Sequence, residues 1–435
     1  MQDPPNSTCQ VNTIRSYNVD PTLNHDQCAS IFNEAGIYMI IDVNSPLPGQ
    51  SIDRTNPASS YNTGYLNHIF SVVEAFKSYP NTLGFFAGNE VINDVPTSQA
   101  NPPYIRAVQR DLKNYIAQHS SRTIPVGYSA ADVRAVLADT WAYLQCDLTN
   151  ETTNGNDTSR SDFLGLNSYS WCGPDATFQS AGYDQIVSIF SNTTIPVFFS
   201  EYGCNVPEPR VFNEVQALYG PQMTVLSGGL VYEYTNGAND FGVVNISADG
   251  SAYLLSDYVS LQAQYNKLNV TLLESGNSTA QSQTPPTCAP SLISNSGFST
   301  NFDIPAPPQG AQAIINAGIS SAPTGKLVSV TQTSVQIPCF ATNGAQLNGL
   351  VLKAVNGSNL PNGANAGTIS APARVSTTST ASANGASSSS GSASTSGSSS
   401  SSAAAATSTK KSAAANVRVG LGSVFVAGLV TILCL

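Results

Sequence analysis

Between about residues 11 and 270, short apolar runs alternate with amphipathic stretches, and this alternation constrains the fold more than any other feature of the chain. Runs at 12–17, 36–43, 82–87, 123–128, 162–167, 196–200 and 229–234 have the length and the β-branched or aromatic content of buried strands. The stretch 104–119 places Ile105, Val108, Leu112, Tyr115 and Ile116 on one helical face, with Arg106, Gln109, Arg110 and Lys113 elsewhere. Segments 66–79 and 25–35 read the same way, the second stopped by Gly36. Repeated strand–helix units predict an α/β fold of the (β/α)8 TIM-barrel type. An open doubly wound sheet is the rival, weakened because no Gly-rich phosphate loop follows the first strand. Seven strand patterns are present where such a barrel has eight, and the first complete unit begins at Val11. The first strand and its helix are therefore expected upstream of the chain as given.

In a barrel of this kind, chemistry gathers at the C-terminal ends of the strands. Those ends read Arg15-Ser16-Tyr17, Asp42-Val43-Asn44, Gly88-Asn89-Glu90, Asn167-Ser168-Tyr169-Ser170-Trp171, Glu201-Tyr202 and Tyr232-Glu233-Tyr234. They hold carboxylates, amides and aromatic rings, with no Ser-His-Asp set. Glu90 and Glu201 each leave a strongly apolar run, where an ionised group is costly unless it has partners or a task. Two such carboxylates suit chemistry at a glycosidic bond. Each residue also has a plainer reading. Glu90 could cap a helix, the tyrosines could be amphipathic core residues, and Arg15 could pair with a buried carboxylate.

Composition narrows the compartment. Only 10% of residues are charged and the net charge is −10, which argues against a nucleic-acid partner. Eight N-x-S/T sequons, at Asn6, Asn150, Asn156, Asn192, Asn245, Asn269, Asn277 and Asn356, suit a secreted glycoprotein. The eight cysteines form no CxxC pair and the three histidines are scattered, so disulfides are expected and a metal site is not. No cofactor motif is present. Residues 419–435 are an apolar run reaching the last residue, preceded by Lys410, Lys411 and Arg418 and a Ser/Ala/Thr tract. This is the pattern of a glycosylphosphatidylinositol (GPI) attachment signal, with the cut expected near 401–407. The other reading, a transmembrane anchor, needs a longer span. Met1-Gln2-Asp3-Pro4-Pro5 does not form a signal peptide, so the natural start is expected further upstream. The organisation expected is a catalytic barrel at 1–270 and a small β-rich or irregular appendage at 271–375. A disordered Ser/Thr/Ala-rich stalk follows at 376–409, and the attachment signal at 410–435.

Several motifs then carry a resemblance. Val11-Asn12-Thr13-Ile14-Arg15-Ser16-Tyr17, Gly88-Asn89-Glu90-Val91, Gly165-Leu166-Asn167-Ser168-Tyr169-Ser170-Trp171-Cys172, Phe199-Ser200-Glu201-Tyr202-Gly203-Cys204 and Gly228-Gly229-Leu230-Val231-Tyr232-Glu233-Tyr234 occur in order. The chain closely resembles the fungal β-1,3-glucanosyltransferases of glycoside hydrolase family 72, over about residues 9–260. The resemblance implies a (β/α)8 catalytic domain at the plasma membrane and cell wall, held by a GPI anchor, that elongates β-1,3-glucan. It implies Glu90 as acid/base and Glu201 as nucleophile, with Asn89 on the sugar 2-hydroxyl. Tyr17, Asp42, Tyr169 and one of Tyr232 and Tyr234 would line the donor groove. It also implies disulfides Cys9–Cys28, Cys146–Cys288 and Cys172–Cys204, with Cys339 left over.

The reaction expected is a retaining double displacement, its carboxyls roughly 5–5.5 Å apart. Apolar surroundings and the Glu201 charge would keep the acid protonated. A plain β-1,3-glucan hydrolase, and a truncated glucan-binding wall glycoprotein without activity, are the alternatives.

Overall fold

The computed structural model describes residues 11–148, 157–269 and 283–354. All seven expected strands form: β1 Thr13–Ser16, β2 Tyr38–Asp42, β3 Thr82–Asn89, β4 Val126–Ala131, β5 Leu164–Asn167, β6 Val197–Tyr202 and β7 Gly229–Val231. They pair in sequence order and every pair is parallel. Helices return the chain between them: α1 Asp26–Glu34, α2 Pro57–Ser60, α3 Thr63–Phe76, α4 Thr97–Ala100, α5 Pro102–His119, α6 Leu137–Gln145, α7 Tyr183–Phe190 and α8 Glu214–Leu218. The sheet curls into a nearly closed barrel. Its edges, β1 and β7, come into contact without ladder pairing among the described residues.

Local chemistry explains the helix limits. Asn62 caps α3, its side-chain oxygen accepting from the Tyr65 amide at 3.0 Å. Pro102 and Pro103 occupy the first turn of α5, where no intrahelical donor is lost. The apolar face of α5 is buried as expected, but Arg106 is fully buried too. It pairs with Asp157 and donates to the carbonyls of Tyr143 and Cys146, beside the Cys146–Cys288 disulfide. The helical pattern put Arg106 off the apolar face. An ion pair with Asp157, far along the chain, is what makes its burial tolerable.

Inside the barrel the lower layer is aromatic. Phe86, Phe163 and Phe198 pack with Ile40, their ring centroids 5.3–6.1 Å apart. Gly127 leaves the space that Phe163 fills, and Gly165 lets the Ser200 hydroxyl approach β5; a Cβ at either position would overlap those atoms. Apolar filling thus stops at Phe86, and a polar layer starts one level above.

After β7 the chain forms β8 Val244–Ile246, β9 Ala252–Leu254 and helix α9 Ser256–Tyr265. Of the 271–375 segment, residues 283–354 are described, and they run along the helical face of the barrel. The Ser294 and Asn295 amides bond Asp139 of α6, and Arg110 of α5 donates to the Pro305 carbonyl. The Ile319 amide donates to the Tyr115 hydroxyl, and the Lys326 amide to Asp26 of α1. Irregular backbone can lie there because barrel side chains satisfy its donors. The segment then adds β10 Cys339–Phe340 and β11 Gln346–Leu347, completing a four-stranded sheet in the order β11-β10-β9-β8. No helix among the described residues is long and apolar enough to cross a membrane. The expected stalk and attachment signal lie outside those residues.

Candidate active site

The polar layer is built around Arg15 at the end of β1. Its guanidinium holds Asp42 of β2 through two bonds, Nε to Oδ1 at 2.9 Å and Nη2 to Oδ2 at 2.8 Å. Both side chains are 2% exposed. Nη1 reaches Glu201 Oε1 at 3.1 Å, and Nη2 reaches Asn89 Oδ1 at 2.9 Å. The same group lies on the Tyr17 ring at 4.2 Å and the Phe86 ring at 4.6 Å. The plain reading of Arg15, partner to a buried carboxylate, therefore holds for Asp42. Asp42 itself was expected to line a groove. Both its oxygens are held by Arg15, and its side chain is 2% exposed.

Donor polarity passes along this layer. Arg15 can only donate, so Asn89 must present its oxygen to it. Asn167 of β5 also donates to Asn89 Oδ1, at 3.0 Å, and to Glu90 Oε1 at 2.8 Å. Its own oxygen accepts from the hydroxyls of Ser129 on β4 and Ser200 on β6, at 3.0 and 2.7 Å. Both Asn167 protons are then used, and Asn89 meets these two donors through its oxygen. Asn167 thus holds Glu90 through Oε1, which makes Oε2 the freer of its two oxygens.

The backbone aims these groups. Register shifts fall between Phe86 and Asn89 on β3, between Leu166 and Asn167 on β5, and between Phe199 and Tyr202 on β6. Such irregularities re-aim side chains at the rim of a sheet. Glu90 has φ of 50°, a left-handed conformation costly for a residue with a Cβ, and its amide is tied to the Ser129 carbonyl at 2.8 Å.

Glu201, on β6, is 8% exposed. Tyr169 donates to its Oε2 at 2.7 Å while Arg15 holds Oε1. Burial pushes the Glu201 carboxyl up to about 7, against the pull of Arg15 and the Tyr169 hydroxyl, and the nearby Glu90 charge pushes it further. A neutral Glu90 would remove that push on Glu201.

Aromatic rings form the walls. Tyr232 meets Tyr17 edge-on at 5.8 Å and Tyr169 at 6.3 Å, and Phe241 packs against Tyr169 and Tyr232 at 5.4 and 5.5 Å. Burial raises the hydroxyls of Tyr17 and Tyr169 far above their ordinary value, so both remain donors. Tyr234 does not join this set. It is half-buried beside Tyr258 and Cys339, whereas Tyr232 meets the Tyr17, Tyr169 and Phe241 rings. The Cys172–Cys204 disulfide ties the segment after β5 to the segment after β6, close behind Tyr169 and Glu201. Among the described residues Cys28 and Cys339 make no disulfide, and Cys9, the expected partner of Cys28, lies outside those residues. Sequence reasoning brought together Glu90, Glu201, Asn89, Tyr17, Tyr169 and Tyr232. It did not single out Asn167, Ser129, Ser200 or Phe241. Only Asn167, at a strand end, carried a signal.

Comparison with known proteins bears on this geometry. A family model described as Glucanosyltransferase, glycoside hydrolase family 72, matches residues 6–269. The chain is 52% identical over 361 residues to 1,3-beta-glucanosyltransferase gel2 of Aspergillus fumigatus, covering 82% of this chain and 74% of that protein. It is 47% identical over 326 residues to the probable 1,3-beta-glucanosyltransferase GAS3 of Saccharomyces cerevisiae, covering 73% of this chain and 62% of that one. Among solved structures, Gas2p of Saccharomyces cerevisiae in complex with laminaripentaose aligns with a TM-score of 0.60 and 35% identity, covering 71% of this chain and 66% of the other. A Gas2p mutant in complex with laminaritetraose and laminaripentaose gives a TM-score of 0.60 at 36% identity, covering 71% and 65%. The chain thus spans between about three fifths and three quarters of the length of these relatives. With its barrel, its paired carboxylates and these likenesses, the chain belongs to the glucanosyltransferase family, glycoside hydrolase family 72.

Proposed function

We propose that the chain is a retaining β-1,3-glucanosyltransferase. It cleaves a β-1,3-glucan donor and transfers the new reducing end to a second β-1,3-glucan chain. The observation that carries this reading is the pairing of two differently held carboxylates. Glu201 is gripped by two donors that pull toward its anion against the burial that raises its carboxyl, and Glu90 is held by a single amide on Oε1. A nucleophile and an acid need this asymmetry. The laminarioligosaccharide complexes of the Gas2p relatives support β-1,3-glucan as the substrate class.

In the first step, Glu90 Oε2 gives its proton to the leaving glycosidic oxygen while Glu201 attacks the anomeric carbon. The glycosyl ester forms as the leaving chain departs with its new hydroxyl. In the second step, Glu90 removes the proton from the 3-hydroxyl of an acceptor glucan, which attacks the same carbon and releases Glu201. The Asn89 amide nitrogen donates to the sugar 2-hydroxyl, a role supported by Arg15 holding the Asn89 oxygen. Tyr17 and Tyr232 offer rings and hydroxyls to neighbouring sugars, and Tyr169 offers its ring, its one hydroxyl proton being held by Glu201. Retention follows from the two inversions, and no cofactor is required.

The enzyme acts at the cell surface, GPI-anchored at the plasma membrane and cell wall. The apolar run at 419–435 and the sequons support that location. The test is chain-length analysis of products from a reduced laminarioligosaccharide donor. Products longer than the donor, absent in Glu201→Gln, are expected. Only shorter products would make the chain a hydrolase, and no product from the soluble full-length protein would overturn the enzymatic reading.

A further inference from the structure

The small sheet formed by β8 to β11 presents one row of side chains on its outer face. The register places Asn245 opposite Tyr253, Tyr253 beside Phe340, and Phe340 opposite Gln346. Their neighbours Val244, Ala252, Leu254 and Cys339 are buried on the inner face, so the row points outward by the alternation of strands. Tyr253 and Phe340 stack at 4.8 Å with their planes 12° apart, and Tyr253 is 36% exposed. This is an apolar platform facing water. Asn245 sits at its side on β8, the edge strand. It is exposed, and its amide makes no hydrogen bond to the described residues. It begins the sequon Asn245-Ile246-Ser247.

We propose that Asn245 carries an N-linked glycan whose first N-acetylglucosamine lies on the Tyr253–Phe340 platform. Directly opposed residues of an antiparallel pair have Cβ atoms about 4.5–5.5 Å apart, so a sugar on the Asn245 nitrogen begins beside the Tyr253 ring. The apolar face of a pyranose covers the aromatic carbons that the fold leaves exposed, and its hydroxyls and acetamide stay in water or reach Gln346. In the modifying step the Asn245 amide nitrogen bonds to C1 of the first sugar of a lipid-linked oligosaccharide. The polyprenyl pyrophosphate leaves, and the amide proton goes to a base. The sugar fastens a sheet whose two halves come from distant parts of the chain, 244–254 and 339–347. Asn192, also exposed and in a sequon, has no such register with an aromatic pair and serves as comparison.

The test is expression of the full chain behind a secretory leader in a yeast host, with secreted and cell-retained pools both digested and mapped for glycopeptides. Asn245 is expected to be modified in most molecules. Trimming the glycan to its first sugar should leave the melting temperature unchanged, whereas Asn245→Gln should lower it by about 2–4 °C. In the Tyr253→Ala background, Asn245→Gln should produce no further change. An unmodified Asn245 peptide alongside a modified Asn192 peptide would overturn the proposal while leaving the cell-surface reading intact. Absence of glycan from every sequon would overturn both. A melting difference that persists unchanged in Tyr253→Ala would overturn the stacking.

Discussion

Tyr169 donates its hydroxyl to Glu201 at 2.7 Å, on the carboxylate oxygen that Arg15 leaves open. This bond favours the Glu201 anion, while burial opposes it. Tyr169→Phe removes the pull, so the acid limb of the kcat/KM profile moves to higher pH. A hydrogen bond to a charged group contributes about 1.5–3 kcal/mol, so kcat/KM falls roughly 10–100-fold at the acid end. Rate profiles of the two proteins between pH 4 and 9 read this directly, and an unmoved limb would contradict it.

Glu201 also links stability to pH. Its carboxyl is raised to about 7 in the fold from an ordinary 4.5, so folding favours the protonated form. That contribution is fully present below about 4.5 and is lost as pH rises through about 7. At pH 8 the ionised group opposes folding by up to roughly 3 kcal/mol. Glu201→Gln, which has no charge to bury, should therefore melt above the wild type at pH 8, with the gap closing toward pH 4.5. Calorimetry across that range tests it; a gap independent of pH would contradict it.

Asn167 joins the two halves of the site. Asn167→Ala frees Glu90 and Asn89 together, and kcat should fall about 10²-fold, within the range that positioned acid–base groups supply. Ser200→Ala should cost less than about tenfold, because Ser129 still holds the Asn167 oxygen. Steady-state kinetics of both variants give the order. Ser200→Ala as damaging as Asn167→Ala would show that the hydroxyls act elsewhere.

Asp42 neutralises a buried guanidinium. Asp42→Ala leaves Arg15 with Glu201 as its one remaining anionic partner among the described residues, and breaking a buried pair in this way costs about 3–5 kcal/mol. Urea unfolding of the variant should show that loss. A change confined to KM, with stability untouched, would return Asp42 to the groove.

The parts of this architecture that rest on local pattern were legible in the chain. All seven strands lie where the apolar runs put them, because a barrel strand is continuous and apolar whatever its partners. Glu90 and Glu201 stood out because a carboxylate after such a run has little structural excuse. What pattern could not show were pairings between distant segments. Arg106 looks solvated until Asp157 reaches it, and Tyr232 and Tyr234 are indistinguishable until the chain turns after β7. Ser129 and Ser200 are ordinary strand residues in the sequence. Their role exists only because β4, β5 and β6 lie side by side and Gly165 leaves room between them.

The central claim is that Glu201 attacks the same anomeric carbon whose leaving group Glu90 protonates. Incubation with an activated 2-deoxy-2-fluoro laminarioligosaccharide, followed by intact mass and peptide mapping, tests it most directly. One glycosyl adduct per chain, on the peptide containing Glu201 and absent in Glu201→Gln, is the predicted result. An active protein that accumulates no adduct, or carries it on any other residue, would contradict the account.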